Sequence, residues 1–253
     1  MPHVSVVLPT YNEGGHIVDL LQAIQSALPG DTEIIVVDDD SPDGTWRLVQ
    51  GYAAQHVGVR LLRRVGRRGL TSAFNEGIAL ARGDIICWMD CDFSMPPEML
   101  PALVSATEYT DIAIGSRYVP GGADVGHPLL ARLFSRAINL FAGGLLGFYV
   151  RDYTSGFIAA RRQVLESIAL RGDYGEYFID LMARAGRLGF SVTEVPYKCI
   201  PRRSGESKTG TDVLGYLRRG SKYVATVLRL RFGAWQPQAA GAASTRSKHD
   251  SCQ

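Results

Sequence analysis

The regular alternation of short apolar runs with amphipathic segments most constrains how this chain can fold. Through the first 115 residues, each run rich in β-branched residues precedes a stretch with apolar residues at helical spacing. Strands that alternate with helices are typical of a mostly parallel sheet covered on both faces. The pattern therefore predicts an α/β fold. The predicted strands cover residues 4–8, 33–37, 59–62 and 84–89, and the predicted helices cover residues 15–27, 45–55 and 70–81.

The second half of the chain has a less regular pattern. It predicts one more strand at residues 112–115, an edge strand at 191–200, a helix at 129–148 interrupted at Gly143-Gly144, and a helix at 212–232. Large apolar residues become rare near the C-terminus, which is typical of a disordered tail. With 253 residues the chain can bury one core. We predict a single domain over residues 1–233 and a tail over 234–253.

Composition and charge exclude some classes of protein. The formal net charge of +2 gives no strong basic field, and we expect no nucleic-acid partner. The four cysteines form no C-x-x-C pair and the five histidines show no metal-ligand spacing, so the thiols are interpreted as reduced and cytosolic. The apolar segment 137–150 is shorter than the roughly 20 residues of a spanning helix. We therefore predict no transmembrane helix. The region 129–150, which includes this segment, is either core or, as we favour, a helix in the membrane interface.

Polar clusters follow three of the predicted strands. Residues 10–13 follow the first strand, Asp38-Asp39-Asp40 the second, and Asp90-Cys91-Asp92 the fourth. In an open parallel sheet, ligands bind beyond the carboxyl ends of the strands, where these clusters should meet. The sequence therefore predicts a ligand site at this edge.

Each acidic cluster has a functional and a structural interpretation. Asp90 and Asp92 suit a hard cation such as Mg²⁺ or Mn²⁺, which takes one or two carboxylates plus phosphate oxygens. A D-x-D alone is more often a solvated loop, and its position at the ligand edge favours the metal here. The three carboxylates of Asp38-Asp39-Asp40 repel one another unless they are relieved. Ribose hydroxyls and base N–H groups would relieve them, and a helix N-terminus would also favour them.

Several motifs in order resemble family 2 glycosyltransferases of the GT-A fold. They read V-S-V-V-L-P-T-Y-N-E (4–13), V-V-D-D-D-S-P-D-G-T (36–45), M-D-C-D-F-S-M-P-P-E (89–98), D-Y-T-S-G-F (152–157) and R-R-S-G-E-S-K (202–208). Within that family the chain is similar to polyprenol- or dolichol-phosphate mannosyltransferases. The resemblance implies a Rossmann-like sheet with helices on both faces and amphipathic C-terminal helices. It also implies a nucleotide-binding half of about residues 1–115 and an acceptor-binding half of about 116–233.

The resemblance assigns roles to individual residues. A divalent metal, Mg²⁺ or Mn²⁺, would be held by Asp90 and Asp92. The residues that would bind the nucleotide sugar are Pro9, Tyr11, Glu13, Asp38, Asp40, Asp90, Arg202 and Lys208. The residues that would bind the acceptor phosphate are Arg117, Arg132, Ser135, Asp152 and Ser155. The catalytic set would be Asp92, Arg117, Arg132, Arg202 and Lys208. Relatives often carry Gln as a further metal ligand where this chain has Ser94, which leaves the third protein ligand open.

The implied activity is inverting transfer of mannose from GDP-mannose to a polyprenyl or dolichyl phosphate. The implied location is the cytoplasmic face of a membrane, where the chain would bind peripherally. A basic stretch from residue 202 to 231 suits phosphates or anionic headgroups, and is equally the solvated face of a helix. Two alternatives stay open: a UDP-sugar donor, or a catalytically weak subunit that binds lipid phosphate. Whether a small membrane-anchor subunit takes part also stays open.

Overall fold

The computed structural model describes residues 3–147, 149–201 and 213–234, with side chains of residues 213–219 left out. Arg202 and Lys208 and the predicted tail from residue 235 onward therefore lie outside the described residues. The strands are β1 Val4–Thr10, β2 Thr32–Asp38, β3 Val59–Arg63, β4 Ile85–Trp88, β5 Ile112–Ser116, β6 Ala123–Asp124, β7 Ile158–Arg161, β8 Val192–Pro196 and β9 Lys198–Cys199. The helices are α1 Ile17–Ala27, α2 Thr45–Ala53, α3 Leu70–Leu80, α4 Leu100–Ala106, α5 Leu129–Leu146, α6 Arg162–Ser167, α7 Glu176–Arg187 and α8 Val213–Phe232.

Seven strands form one sheet in the order β3-β2-β1-β4-β7-β5-β8. All neighbours pair in parallel except β7, which is antiparallel to both β4 and β5. The amino end of an antiparallel strand lies at the same edge as the carboxyl ends of its parallel neighbours. The segment that leads into β7 therefore joins the ligand edge. This architecture confirms the predicted mostly parallel α/β sheet.

Helices cover both faces of the sheet, because successive strand residues point to opposite sides. In β1, Val6 and Leu8 pack into a core with α1, α2 and α4, whereas Val7 packs into a second core with α3, α5, α6, α7 and α8. The side chains of Trp88 and Phe74 anchor the second core with ring centroids 5.1 Å apart. The polar loops are left at the strand ends, where neither core covers them.

The structure corrects the predicted strand at 191–200 and the predicted interruption of the helix at 129–148. The predicted strand at 191–200 divides at Tyr197: β8 is the parallel edge strand of the large sheet, and β9 pairs with β6 in a separate two-stranded sheet. The helix α5 continues through Gly143-Gly144 without interruption, and it packs on α8. By length and apolar composition α5 is long enough to cross a membrane, with 17% of its residues buried. The sequence analysis counted only the apolar segment 137–150 and so did not reveal the length of this helix.

Candidate active site

The first acidic cluster is held in place by donors from the protein itself. Asp38 is fully buried at the end of β2. Its carboxylate accepts hydrogen bonds from the hydroxyl of Thr10 at 2.8 Å and from the hydroxyl and backbone N–H of Ser41 at 2.7 and 2.8 Å. These bonds tie the end of β1 to the loop after β2. Asp38 thus fixes the position of the loop where the nucleotide is predicted to bind.

The two following carboxylates pair with consecutive arginines at the end of β3. The buried guanidinium of Arg64 donates from Nε to Asp39 at 2.7 Å, and the backbone N–H of Gly69 donates to the same carboxylate at 2.9 Å. Arg63 donates from Nε to Asp40 at 2.7 Å. The mutual repulsion of three adjacent carboxylates is therefore relieved within the protein, by two cations and by hydroxyl and amide donors.

The loop after β1 forms the neighbouring wall. Pro9 is half-buried and is the second-last residue of β1. The guanidinium of Arg68 lies 4.2 Å from the ring centroid of Tyr11. The carboxylate of Glu13 lies 2.9 Å from Nε2 of His16, and its backbone N–H donates to the hydroxyl of Thr45 at 2.9 Å. Pro9 at the end of β1 and Tyr11 and Glu13 in the loop after it thus lie at the same sheet edge as Asp38 and Asp40.

The second acidic cluster sits on the other side of β1, at the end of β4. Asp90 is exposed, whereas Asp92 is 6% exposed and accepts a hydrogen bond from the backbone N–H of Ser94 at 3.0 Å. Phe93, which lies between Asp92 and Ser94, has a left-handed backbone with φ of 64°. The turn places both carboxylates in one short loop. Because carboxylate oxygens at a strand end suit Mg²⁺ or Mn²⁺, the pair fits the predicted metal.

A buried ion pair lies among the residues that are predicted to bind the acceptor phosphate. Arg117 follows β5 and donates to Asp152 from Nε at 2.9 Å and from Nη2 at 2.8 Å. Burial alone would lower the pKa of Arg117, but the carboxylate of Asp152 raises it well above its usual value. The hydroxyl of Thr154 accepts a further bond from Nη2 at 2.8 Å. Arg117 is therefore a fixed cation, and Asp152 is the group that orients it.

A cleft of about 280 Å³ opens beside this ion pair. Three arginines line it (Arg117, Arg132 and Arg136), together with apolar side chains that include Leu129 and Leu133. Arg132 donates from Nη1 to the backbone oxygen of Asp124 at 3.0 Å, while its buried Nε has no hydrogen-bond partner among the described residues. The cleft thus combines guanidinium groups with an apolar wall, and this combination suits a phosphate attached to an apolar chain.

A chain of hydroxyl and amide groups supports the floor of the cleft. The hydroxyl of Tyr118 donates to Ser135 at 2.8 Å, and Ser135 lies 3.2 Å from the hydroxyl of Thr154, which also accepts from Asn139 at 2.9 Å. Ser155 is turned away from this chain: its hydroxyl donates to the backbone oxygen of Gly115. Ser135 therefore lies at the predicted acceptor site, whereas Ser155 holds the loop before β7.

The strands β8 and β9 bring the metal side and the acceptor side together. The backbone N–H of Ile200 donates to the oxygen of Ser94 at 3.1 Å. Cys199 of β9 is buried, and this burial raises the pKa of its thiol to about 12. Because β9 pairs with β6, whose Asp124 lines the cleft, one short segment of chain connects the Asp90-Asp92 loop to the Arg117 cleft.

The roles predicted for the site residues stay predictions, but the structure gives their positions. Those around the metal loop and those around the cleft lie at one sheet edge, and Arg202 and Lys208 lie outside the described residues. The sequence reasoning did not single out Tyr118, Thr154 or Asn139, because neutral polar residues in a helix or loop carry no signal until the chain is folded. Arg136 could have been found from the sequence, because it lies one helical turn after Arg132 and therefore on the same face of the predicted helix.

Comparisons with known proteins identify the family. The model of the family described as glycosyl transferase family 2 matches residues 5–169. The dolichol-phosphate mannosyltransferase of Pyrococcus furiosus is 38% identical over 220 residues, 85% of this chain and 62% of that relative. The chain therefore spans less than two thirds of that protein. The polyprenol monophosphomannose synthase of Mycolicibacterium smegmatis is 40% identical over 217 residues, 82% of each chain.

A solved structure shows the same fold. Glucosyl-3-phosphoglycerate synthase from Mycobacterium tuberculosis, in complex with Mn²⁺, uridine diphosphate and phosphoglyceric acid, has a TM-score of 0.69 and 24% sequence identity, covering 91% of this chain and 79% of that one. Likeness at this level of identity concerns the fold alone. The family match and the relatives make the assignment: the chain is a sugar-transferring enzyme that belongs to glycosyl transferase family 2, and it resembles the polyprenol-phosphate mannosyltransferases within it.

Proposed function

We propose that this enzyme transfers mannose from GDP-mannose to a polyprenyl or dolichyl phosphate at a membrane surface. The observation that carries the proposal is the cleft in which Arg117, Arg132 and Arg136 meet Leu129 and Leu133. A soluble sugar acceptor would not need a leucine wall, and a plain lipid would not need three guanidinium groups. A phosphate on a lipid chain needs both. The names of the relatives support the same acceptor class and the same sugar.

The approach of a lipid is supported by the outer face of α5. Leu129, Leu133 and Leu140 on this helix have 64%, 53% and 66% of their surface exposed. Exposed leucines on an amphipathic helix favour insertion into the boundary between headgroups and acyl chains. The cleft opens at the first turns of the same helix, so a lipid phosphate would enter it without leaving the interface. The proposed location is peripheral, on the cytoplasmic face, and a small membrane-anchor subunit would add to this attachment.

The donor would lie across the strand ends of β1, β2 and β4. Pro9, Tyr11 and Glu13 would form one wall of the nucleotide pocket. Asp40 would approach the nucleotide from the loop after β2, and Asp38 would fix that loop through its bonds to Thr10 and Ser41. Arg202 and Lys208, in the segment similar to that of the mannosyltransferases, would hold the diphosphate.

A divalent cation, Mg²⁺ or Mn²⁺, would be held by Asp90 and Asp92. The residues fit this ion because both offer carboxylate oxygens in one turn, and the exposure of Asp90 leaves room for oxygen ligands from a diphosphate and water. Ser94 is buried, with its backbone bonded to Asp92 and Ile200, so its part here is to shape the loop. When bound, the cation supplies charge neutralisation on the departing diphosphate.

The reaction needs positioning more than it needs a base. A phosphate monoester has a second pKa of about 6, so at neutral pH the acceptor is mostly a dianion and already nucleophilic. Arg132 and Arg136, beside the fixed Arg117, would align this dianion. Its oxygen forms a bond to the anomeric carbon as the bond from that carbon to the diphosphate oxygen breaks. The electron pair leaves with GDP, and the anomeric configuration inverts.

Two measurements test the proposal. The first is a donor panel of GDP-mannose, UDP-glucose and UDP-N-acetylglucosamine with one polyprenyl phosphate, in Mg²⁺ or Mn²⁺ and in chelator. We expect the highest kcat/KM with GDP-mannose and no turnover in chelator. A higher value with a UDP-sugar would overturn the donor. Absence of nucleoside diphosphate release with every donor, together with tight lipid-phosphate binding, would instead favour the non-catalytic subunit.

The second measurement tests the cleft itself. Because a hydrogen bond to a charged group contributes about 1.5–3 kcal/mol, Arg132→Met should raise KM for the polyprenyl phosphate about 10- to 100-fold and leave KM for the donor unchanged. The matched control is Arg151→Met, which removes an exposed arginine outside the cleft. An equal loss in both variants would show that net charge, and not the cleft, binds the acceptor.

A further inference from the structure

Three metal-ligating side chains that are not part of the Asp90-Asp92 loop converge at one point. They are Asp124 of β6, His127 just beyond it, and Cys199 of β9. Their ligand atoms all lie within 4.8 Å of one another. The Nδ1 atom of His127 is 3.0 Å from Oδ1 of Asp124 and 3.8 Å from Sγ of Cys199. A sequence separation of 72 positions between His127 and Cys199 means that no local motif reveals this group.

The backbone fixes the three positions. Asp124 and Cys199 are direct partners across the parallel pair β6 and β9. The backbone N–H of His127 donates to Asp124 at 3.2 Å, which closes a tight turn and swings the imidazole back over the strand. Gly126 within this turn lies against the backbone of Ile200 and Pro201, where a Cβ would clash. The side chains are therefore brought together by secondary structure and not by a flexible loop.

A catalytic relay does not explain why the thiol also lies beside the hydrogen-bonded pair of Asp124 and His127. A Cys-His-Asp relay needs its thiol and its carboxylate on opposite ring nitrogens, because one nitrogen takes the proton from sulfur while the other donates to the carboxylate. Here the carboxylate of Asp124 and the sulfur of Cys199 both approach the same Nδ1 atom of His127. One nitrogen can either donate or accept, and cannot serve both partners as a relay. Three ligands around one point are what a shared cation requires.

The distances and the charges suit zinc. With ligand bonds of about 2.0–2.3 Å, tetrahedral Zn²⁺ separates its ligand atoms by roughly 3.3–3.7 Å. The distances of 3.0 and 3.8 Å from Nδ1 bracket this range. A thiolate and a carboxylate together neutralise the dication. Arg117 does not compete strongly for Asp124, because its Nη1 lies 3.5 Å from that carboxylate while its shorter bonds go to Asp152.

We propose that Asp124, His127 and Cys199 bind Zn²⁺, with water as the fourth ligand. A thiolate, an imidazole and a carboxylate form a softer ligand set than the all-oxygen site at Asp90 and Asp92, so the two sites select different metals. The side chain of His127 is 39% exposed, which gives the ion and its water a path from solvent. The bound ion would tie the segment before α5 to β9. The proposal stands on these three residues and does not depend on the sugar donor or acceptor.

The test uses Co²⁺ as a spectroscopic probe in the tag-free, full-length chain after metal removal with a chelator. We expect one equivalent of Co²⁺ to give the intense thiolate-to-cobalt charge-transfer absorption of a tetrahedral site, and Zn²⁺ to displace it. Cys199→Ser should remove this absorption, and His127→Ala should weaken Co²⁺ binding by at least about 10-fold. Because His127 is partly exposed, its variant is expected to fold even if Cys199→Ser does not.

Two controls separate the site from the rest of the chain. Cys87→Ala removes a buried thiol in β4, and Asp90→Asn alters the oxygen site; both variants should keep the charge-transfer absorption. Absence of the absorption in the unmodified chain would overturn the proposal. So would its persistence in Cys199→Ser, or its loss in Asp90→Asn while His127→Ala retains it.

Discussion

The two acidic segments on either side of β1 look alike in sequence and differ in how the fold uses them. The carboxylates of Asp38-Asp39-Asp40 are bonded by hydroxyl, amide and guanidinium donors of the protein. In Asp90-Cys91-Asp92, the carboxylate of Asp92 accepts from the backbone N–H of Ser94, and Asp90 is exposed. The difference comes from the neighbouring strand: β2 has β3 beside it, β3 ends at Arg63, and Arg64 follows directly. Carboxylates at a strand end thus serve to hold the fold together when the neighbouring strand supplies cations that pair with them.

The largest effect should come from the exposed segment. Asp90→Ala removes a proposed metal ligand, and we expect kcat/KM to fall about 10³-fold, as when a main electrostatic stabiliser of a transition state is lost. The free energy of unfolding should change by less than about 0.5 kcal/mol, as for most exposed sites. Steady-state kinetics and urea unfolding measure the two quantities. A large loss of stability would place Asp90 with the structural carboxylates.

The opposite result is expected for the first segment. Arg64→Met leaves the carboxylate of Asp39 buried beside an apolar side chain, and breaking a buried pair in this way costs about 3–5 kcal/mol. Urea unfolding should show this loss. Residual folded protein, measured at low temperature, should keep most of its kcat. A fall in kcat without a fall in stability would mean that Asp39 or Arg64 contacts the donor.

A smaller effect is expected at Glu33, near the amino end of β2 and far from the ligand edge. Its carboxylate accepts a hydrogen bond from Ser5 at 2.6 Å and pairs with Arg60 at 3.3 Å. Burial raises the pKa of Glu33, but these partners and a backbone amide lower it below its usual value. Glu33→Gln should therefore reduce the free energy of unfolding at pH 7 by about 1–2 kcal/mol.

The pH dependence of this effect follows from the sign of the shift. A carboxyl whose pKa is lower in the folded state stabilises the fold above its unfolded pKa, and this contribution is lost as the pH falls through the folded pKa. The difference between Glu33→Gln and the unmodified chain should therefore shrink on acidification below about pH 4.5. A difference that stays constant from pH 7 into this range would contradict the assignment.

The smallest effect is expected at Arg67, which pairs with the same Glu76 that Arg64 contacts. Its side chain is 61% exposed, against 0% for Arg64. Exposed ion pairs contribute about 0–1 kcal/mol, so Arg67→Met should change the free energy of unfolding by at most about 0.5 kcal/mol. This variant is the matched control for Arg64→Met. Similar losses in both would show that burial does not decide the difference between these arginines.

Local patterns predicted the parts of the fold that local forces determine. The parallel strands and their helices end within a few residues of the predicted bounds, because apolar periodicity and turn residues act over short distances. The insertion of β7 between β4 and β5 was not predicted, since pairing partners far apart in sequence leave no local signal.

The same limit applies to the candidate site. The strand-end positions of Asp38 and Asp90 were predictable, whereas the pairing of Asp39 with Arg64 and the meeting of His127 with Cys199 depend on long-range packing. The sequence could not separate a carboxylate that binds a ligand from one that binds the protein.

The placement of β7 has a consequence for how such chains diversify. Because β5 and β7 are antiparallel neighbours, the segment between them leaves and re-enters the sheet at one edge. That single stretch bears nearly every side chain that we assign to the acceptor: Arg117, Arg132, Arg136, Ser135 and Asp152. Replacing one contiguous piece of gene would exchange the acceptor while leaving the register of all seven strands unchanged. Acceptor preference can thus evolve as an insert, independently of the donor.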